Sequence, residues 1–251
     1  MEKEIVLISG ATSGIGEATA GLMAENGFRI ILTGRRADRL EQLKNRFGKL
    51  TPVHTLCFDI RDRAEVDKAV DSLPEKWQEV DILINNAGLA AGMDHFHEGD
   101  IGDWEQMIDT NLKGLLYISR KIAPGMIERG SGHIMNVGSI AGREMYERGN
   151  VYSATKHAVE ALSRGMRIDM LKHGIKVSTV SPGLVETEFS LVRFKGDSER
   201  AKQPYKGMKP LTGRDVAEAI LFMLTRPPHV SIHDLLIMPT AQAAALTVHR
   251  D

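Results

Sequence analysis

The chain is poor in several things at once: one cysteine, two tryptophans, four tyrosines and a formal net charge of only −1 over 251 residues. With Cys57 alone, no intrachain disulfide is possible, and its place in the apolar run His54–Phe58 predicts a small buried hydrophobe rather than a redox group. No apolar stretch approaches the roughly 20 residues of a membrane span. Charges of both signs are interspersed, which argues against nucleic acid or an anionic membrane as partner and leaves a small-molecule substrate as the default. Met1-Glu2-Lys3-Glu4 leads directly into a strand-like run without the pattern of a signal peptide, so a cytoplasmic protein is expected. No linker, low-complexity tract or repeat divides the chain, and residues 1–251 read as one domain.

What is present is an alternation of strand and helix signals, the pattern of a parallel sheet covered on both faces. The strand-like runs are Ile5–Ile8, Arg29–Thr33, His54–Phe58, Ile82–Ile84, His133–Val137, Lys176–Val180 and His233–Met238. They are nearly continuous in apolar residues, as strands buried on both faces should be. Asn26-Gly27 and His173-Gly174 read as helix stops, with glycine in the left-handed position after the last turn.

Directly after the first run comes Ser9-Gly10-Ala11-Thr12-Ser13-Gly14-Ile15-Gly16, a glycine-rich turn opening a helix. Glycines at Gly10, Gly14 and Gly16 let backbone N–H groups approach a pyrophosphate, and the positive end of the following helix faces the same place. Thr12, Ser13 and Ile15 lie in that turn. The spacing is G-x-x-x-G-x-G rather than G-x-G-x-x-G, but the chemistry is that of a dinucleotide site.

A second set of residues carries reaction chemistry. Tyr152 and Lys156 stand four apart in a helical segment and share a face. A phenol is a poor base near neutral pH, and a neighbouring ammonium is expected to bring its pKa down toward the working range. Ser139 closes the run His133–Gly138, at the carboxyl edge of a sheet, where ligands of open α/β folds bind. Asn85-Asn86-Ala87-Gly88 ends another buried-strand pattern, and Asn111 follows inside a helical stretch.

These motifs together resemble the short-chain dehydrogenase/reductase family from about residue 4 to about residue 240. The resemblance implies a Rossmann-type α/β domain with a doubly wound, parallel, seven-stranded sheet in the order 3-2-1-4-5-6-7. It implies a tetrad of Asn111, Ser139, Tyr152 and Lys156, with Asn86, Ala87, Gly88, Pro182, Gly183, Val185 and Thr187 along the cofactor and a substrate loop at about 186–212. In that scheme Tyr152 exchanges the proton of an alcohol, Ser139 hydrogen-bonds its oxygen, Lys156 holds the nicotinamide ribose and Asn111 anchors a water. A homotetramer is implied as well. Within the family, Thr33-Gly34-Arg35-Arg36, Gly149-Asn150-Val151-Tyr152 and Val192-Arg193-Phe194-Lys195-Gly196-Asp197 resemble the bacterial NADP-dependent 3-hydroxy acid dehydrogenases, which act on L-serine, L-allo-threonine or malonic semialdehyde. The loop Arg143–Arg148 departs from their pattern.

Residue chemistry supports NADP. Where an NAD-specific protein places an acid after the second strand, this chain has Gly34-Arg35-Arg36, and a guanidinium suits a 2′-phosphate. One arginine suffices; the other then begins a solvated loop. Asp59 and Ile60 resemble the family's adenine contacts. A 3-hydroxy acid brings a carboxylate, for which Arg143 and either Arg193 or Lys195 are the candidate cations, Arg148 ranking below them. The pair His95 and His97 reads as a polar loop rather than a metal site. Two other functions stay open: a ketone or 3-oxoacyl reductase of broad specificity, and a non-catalytic sensor of NADP redox state.

Overall fold

The computed structural model describes residues 3–251; Met1 and Glu2 of the expected leaderless start lie outside them. Seven strands form one parallel sheet: β1 (Ile5–Ile8), β2 (Arg29–Gly34), β3 (Val53–Cys57), β4 (Ile82–Asn85), β5 (Gly132–Val137), β6 (Ile175–Pro182) and β7 (Asp234–Ile237). Their spatial order is β3-β2-β1-β4-β5-β6-β7, so the crossover direction reverses between β1 and β4. Ligands of such sheets bind at that reversal, outside the carboxyl ends of the strands.

The helices between the strands are α1 (Gly14–Glu25), α2 (Ala37–Phe47), α3 (Arg63–Asp71), α4 (Glu75–Gln78), α5 (Ile101–Ile108), α6 (Leu115–Arg129), α7 (Asn150–Met170), α8 (Glu188–Arg193), α9 (Ser198–Lys202) and α10 (Gly213–Leu224). Alternate strand residues feed two cores. Val6, Ile8, Ile30, Leu32 and Ile84 pack with Met23 of α1, Leu40 of α2 and Ile220 of α10. Leu7, Ile31, Leu83 and Ile134 face the other way, onto Val66 of α3 and Ile118 and Met126 of α6. The period of two in a strand makes this division, and every residue of β1 is consequently buried. Gly27 and Gly174 do take positive φ, 77° and 72°. Met166 and Met170 of α7 join the second core.

The expectation for Cys57 fails. Cys57 is exposed, because β3 is the edge of the sheet and Leu56, not Cys57, is the residue turned inward. No described helix is long and apolar enough to cross a membrane. The continuous helix expected around Asn111 is interrupted: Asp109–Gly114 is π-helical between α5 and α6.

Candidate active site

At the carboxyl edge of the sheet lies a cleft of about 800 Å³, bordered by the ends of β1, β2, β4, β5 and β6, by α8 and α9, and by the C-terminal segment. Its floor on one side is the glycine turn. Gly10 has φ +66°, and a Cβ there would stand 2.8 Å from Ala87 Cα, so any side chain would push the β1 and β4 ends apart. Polar bonds hold those ends together: Ser9 Oγ accepts from the N–H of Asn86 and of Ala87, and Asn86 Nδ2 donates to the Ser9 and Gly10 carbonyls. Gly16 sits behind the turn, where a Cβ would come within 2.3 Å of Gly10 O. Ser13 begins α1 without a side-chain capping bond, which leaves the first-turn N–H groups of the helix to an anion.

The two arginines after β2 have different fates. Arg36 is pinned: its Nε and Nη2 donate to Thr12 Oγ1 at 3.2 and 3.1 Å, and Nη1 donates to Glu188 at 3.0 Å. Among the described residues Arg35 has only a 3.6 Å approach to Asp59, and it keeps 54% of its side chain exposed. Asp59 is gripped by Arg61, whose Nε and Nη2 donate to Asp59 Oδ2 at 3.0 and 2.6 Å, and that guanidinium holds its carboxyl below the usual range despite partial burial. Ile60 is buried against Gly114 at the cleft wall.

On the opposite side α7 presents Tyr152 and Lys156, both buried. Lys156 Nζ donates to the Val137 carbonyl at 2.9 Å. Burial pushes its pKa down to about 8, against the pull of the Glu160 carboxylate. Ser139 Oγ accepts from Ala141 N–H at 3.1 Å, which fixes the oxygen and leaves the hydroxyl proton to donate. Asn111 Oδ1 accepts from Leu89 N–H, and its amide donates to Leu89 O and to Thr155 Oγ1. The π-helical turn that carries Asn111 is a bulge of the kind that recurs at functional sites.

Tyr152 differs from the expectation of a lowered pKa: it is pushed up to about 12. Burial is the largest cause, Tyr146 adds to it, and a hydrogen bond with Ser139 and the charge of Arg193 oppose it. Lys156 Nζ is 6.0 Å from the ring centroid, too little to outweigh loss of water around a phenolate. At neutral pH the phenol is therefore protonated.

Arg193 borders the cleft beside Tyr152. Its guanidinium carbon lies 5.5 Å from the Tyr152 ring centroid. Nη2 donates to Tyr146 Oη at 2.8 Å and Nε to the Gly92 carbonyl at 3.3 Å. Among the described residues it pairs with no carboxylate.

Comparison with known proteins shows the family. The short chain dehydrogenase family matches residues 4–196. An NADP-dependent 3-hydroxy acid dehydrogenase of Salmonella typhi is 47% identical over 248 residues, 98% of this chain and 99% of that protein. The chain belongs to the short-chain dehydrogenase family. Sulfoacetaldehyde reductase 2 of Chromohalobacter salexigens is 43% identical over 250 residues, 99% of each chain. The closed form of a serine dehydrogenase complexed with NADP+ superposes with a TM-score of 0.92 at 46% identity, covering 98% of this chain and all of that one.

In this short-chain dehydrogenase Ser139, Tyr152 and Lys156 line one cleft with Gly10, Thr12, Ser13, Gly14, Ile15, Arg35, Arg36, Asp59, Ile60, Asn86, Ala87, Gly88, Pro182, Gly183, Val185, Thr187 and Arg193. Asn111 and Gly16 support it from behind. Arg143 is the substrate candidate that the fold sends elsewhere: it leaves the cleft and approaches Asp234 of β7 at 3.9 Å. Lys195 is likewise spent, bonding Asp103 at 2.9 Å. Sequence reasoning missed Tyr146, which braces Arg193, and the C-terminal wall. There Gln242 Oε1 accepts from Leu184 N–H at 2.8 Å, and Arg250 donates to the carbonyls of Pro204 and Lys206. No local pattern marks these residues, whose partners lie 44 to 58 positions away.

Among the described residues no group of three or more His, Cys, Asp or Glu side chains is placed to hold a metal. His95 accepts from Arg148 instead.

Proposed function

We propose that this chain is an NADP(H)-dependent oxidoreductase acting on the 3-hydroxyl or 3-carbonyl of small 3-hydroxy acids. The observation that carries the substrate class is Arg193: a cation beside the reacting tyrosine, braced by neutral groups and left without a carboxylate. A buried or half-buried guanidinium in that state invites a bidentate anion.

The cleft fits the cofactor by its donors. The N–H groups at the start of α1 suit the pyrophosphate, and Arg35, the less engaged of the two arginines, suits the 2′-phosphate. Arg36 is a strut between Thr12 and Glu188 rather than a second phosphate ligand. Lys156, with one carbonyl acceptor in the protein, keeps ammonium hydrogens for the ribose hydroxyls. When bound, NADPH supplies the hydride.

The remaining chemistry belongs to the chain. Tyr152, protonated at neutral pH, gives its proton to the carbonyl oxygen as hydride arrives, and Ser139 donates a hydrogen bond to the same oxygen. The protonated phenol is the form that donates to a carbonyl, and alcohol oxidation uses the same group as its phenolate. Asn111 has spent both amide hydrogens, so a relayed water would meet its oxygen. Arg193 holds the substrate carboxylate and so sets which carbon faces the nicotinamide.

A broader acyl or ketone reductase is the second reading, favoured by one observation: Arg148, Arg200 and Arg250 also line the cleft, a cationic rim that suits larger anionic carriers. Initial rates at 340 nm decide between them. L-serine, L-allo-threonine and 3-hydroxypropionate with NADP, and malonic semialdehyde and neutral ketones with NADPH, are the panel. Turnover confined to the acids supports the proposal, turnover of ketones alone supports the broader reductase, and cofactor binding without turnover of anything supports a sensor.

A further inference from the structure

Tyr152, Lys156 and Glu160 follow one another at four-residue intervals on α7 and so share one helix face. Two of them have roles above; the third does not. Glu160 is 5% exposed, deep beneath the cleft floor. Its Oε1 accepts from Ser181 Oγ at 2.7 Å, and Ser181 is itself fully buried in β6, immediately before Pro182. A Cβ added to Gly138 would stand 3.0 Å from the same Oε1, so the carboxylate also lies under the β5 end that leads into Ser139.

Among the described residues Glu160 forms no ion pair. A carboxylate this buried is costly unless something compensates it, and Lys156, one turn back along the helix, is a cation on which its charge acts. Lys156 needs the same help, because its ammonium is buried with a single carbonyl acceptor. Around it stand Tyr152 and Glu160 from α7, the Val137 carbonyl from β5, Gly88 after β4, Asn111 of the π-helical turn, and Arg193 of α8 across the tyrosine ring. Glu160 is the one carboxylate in that set.

We propose that Glu160 is a positioning residue: its buried charge keeps the Lys156 ammonium protonated, and its bond to Ser181 ties that charge to the β6 end running into Pro182 and Gly183. The inference rests on the reading above only in that Lys156 takes part in the reaction. Burial and Glu160 act on Lys156 in opposite senses, downward and upward respectively. Losing the carboxylate therefore moves the lysine midpoint from about 8 toward neutrality.

The test is the titration of Lys156 by NMR of lysine labelled at the ε-carbon, assigned with Lys156→Met. Glu160→Gln keeps an acceptor for Ser181 and removes only the charge; its midpoint is expected to fall by about one pH unit. Glu160→Asp, with the charge a methylene further off, shifts the same way by less. Ser181→Ala breaks the bond, keeps the charge and leaves the midpoint in place. The alkaline limbs of NADPH binding and of kcat/KM should move with Glu160→Gln and stay with Ser181→Ala, which a purely structural role would not produce. An unmoved midpoint in Glu160→Gln, or an equal fall in Ser181→Ala, overturns the proposal. If Glu160→Gln does not fold, an unmoved or raised midpoint in Glu160→Asp does the same. Absence of turnover on every 3-hydroxy acid, with the NMR shifts as expected, would count against the substrate reading and leave Glu160 in its role.

Discussion

On the cofactor side of the cleft, recognition is built from backbone: glycines without side chains, a helix start and strand ends stitched by Ser9 and Asn86. On the side proposed for the substrate it is built from long side chains: Arg193 donates to Tyr146 Oη, and Gln242 Oε1 accepts from the Leu184 N–H. A backbone site accepts one shape, that of a pyrophosphate and ribose. A side-chain site is retuned by single substitutions and so is where relatives of one family part company. The Arg36 strut joins the two sides, since it bonds Thr12 in the glycine turn and Glu188 at the start of α8.

Changes on either side should therefore separate in their effects. Tyr152→Phe, where the sides meet, is expected to lower kcat/KM by about 10³-fold. Its NADPH affinity, measured by fluorescence titration, should stay within about twofold of wild type because the cofactor-side donors are untouched. An affinity that falls with the rate would erase the division. His133 serves as a control remote from both sides. It is buried in β5, where Nε2 meets Ser178 Oγ at 2.8 Å, and burial holds its pKa down to about 4. The unfolded chain binds the proton from about pH 6.5 downward and the folded one only near 4, so stability is full above pH 6.5 and is lost through that window. The loss amounts to about 3 kcal/mol in denaturant melts, and His133→Gln should remove most of that slope without altering NADPH affinity.

Smaller effects test the cofactor side alone. Arg35→Ala should cut the preference for NADP over NAD by about tenfold to a hundredfold, the worth of one charge-assisted contact to a phosphate. Arg36→Ala should weaken both cofactors alike, by a few-fold, as loss of a strut would. Glu188→Gln breaks a half-exposed pair worth under about 1 kcal/mol. It should raise KM slightly at low salt and leave it unchanged at high salt. An equal loss of NADP preference in both arginine variants would make them joint phosphate ligands.

Much of this was legible from residue order. Strands buried on both faces announce themselves as unbroken apolar runs, and β1, β2 and β4 end within a residue of where the runs do. The turn at Gly10–Gly16 and the pair Tyr152 and Lys156 are likewise local patterns. What stayed hidden depends on contacts across the chain. Arg35 and Arg36 are adjacent and chemically identical, yet only Arg36 finds Glu188, 152 residues on. Arg143 and Arg193 were equal candidates until β7 placed Asp234 beside the first. Cys57 reads as buried because alternation does not reveal that β3 is an edge. The raised pKa of Tyr152 reflects how dry its surroundings are, which one lysine four residues away cannot indicate.

The substrate side carries the central claim, and Arg193 tests it most directly. The comparison is kcat/KM of wild type and Arg193→Ala on 3-hydroxypropionate against its neutral methyl ester, with NADP saturating. Loss of the guanidinium should lower kcat/KM for the acid by about tenfold to a hundredfold and change it little for the ester. Equal losses on both substrates, or none on the acid, would contradict the account.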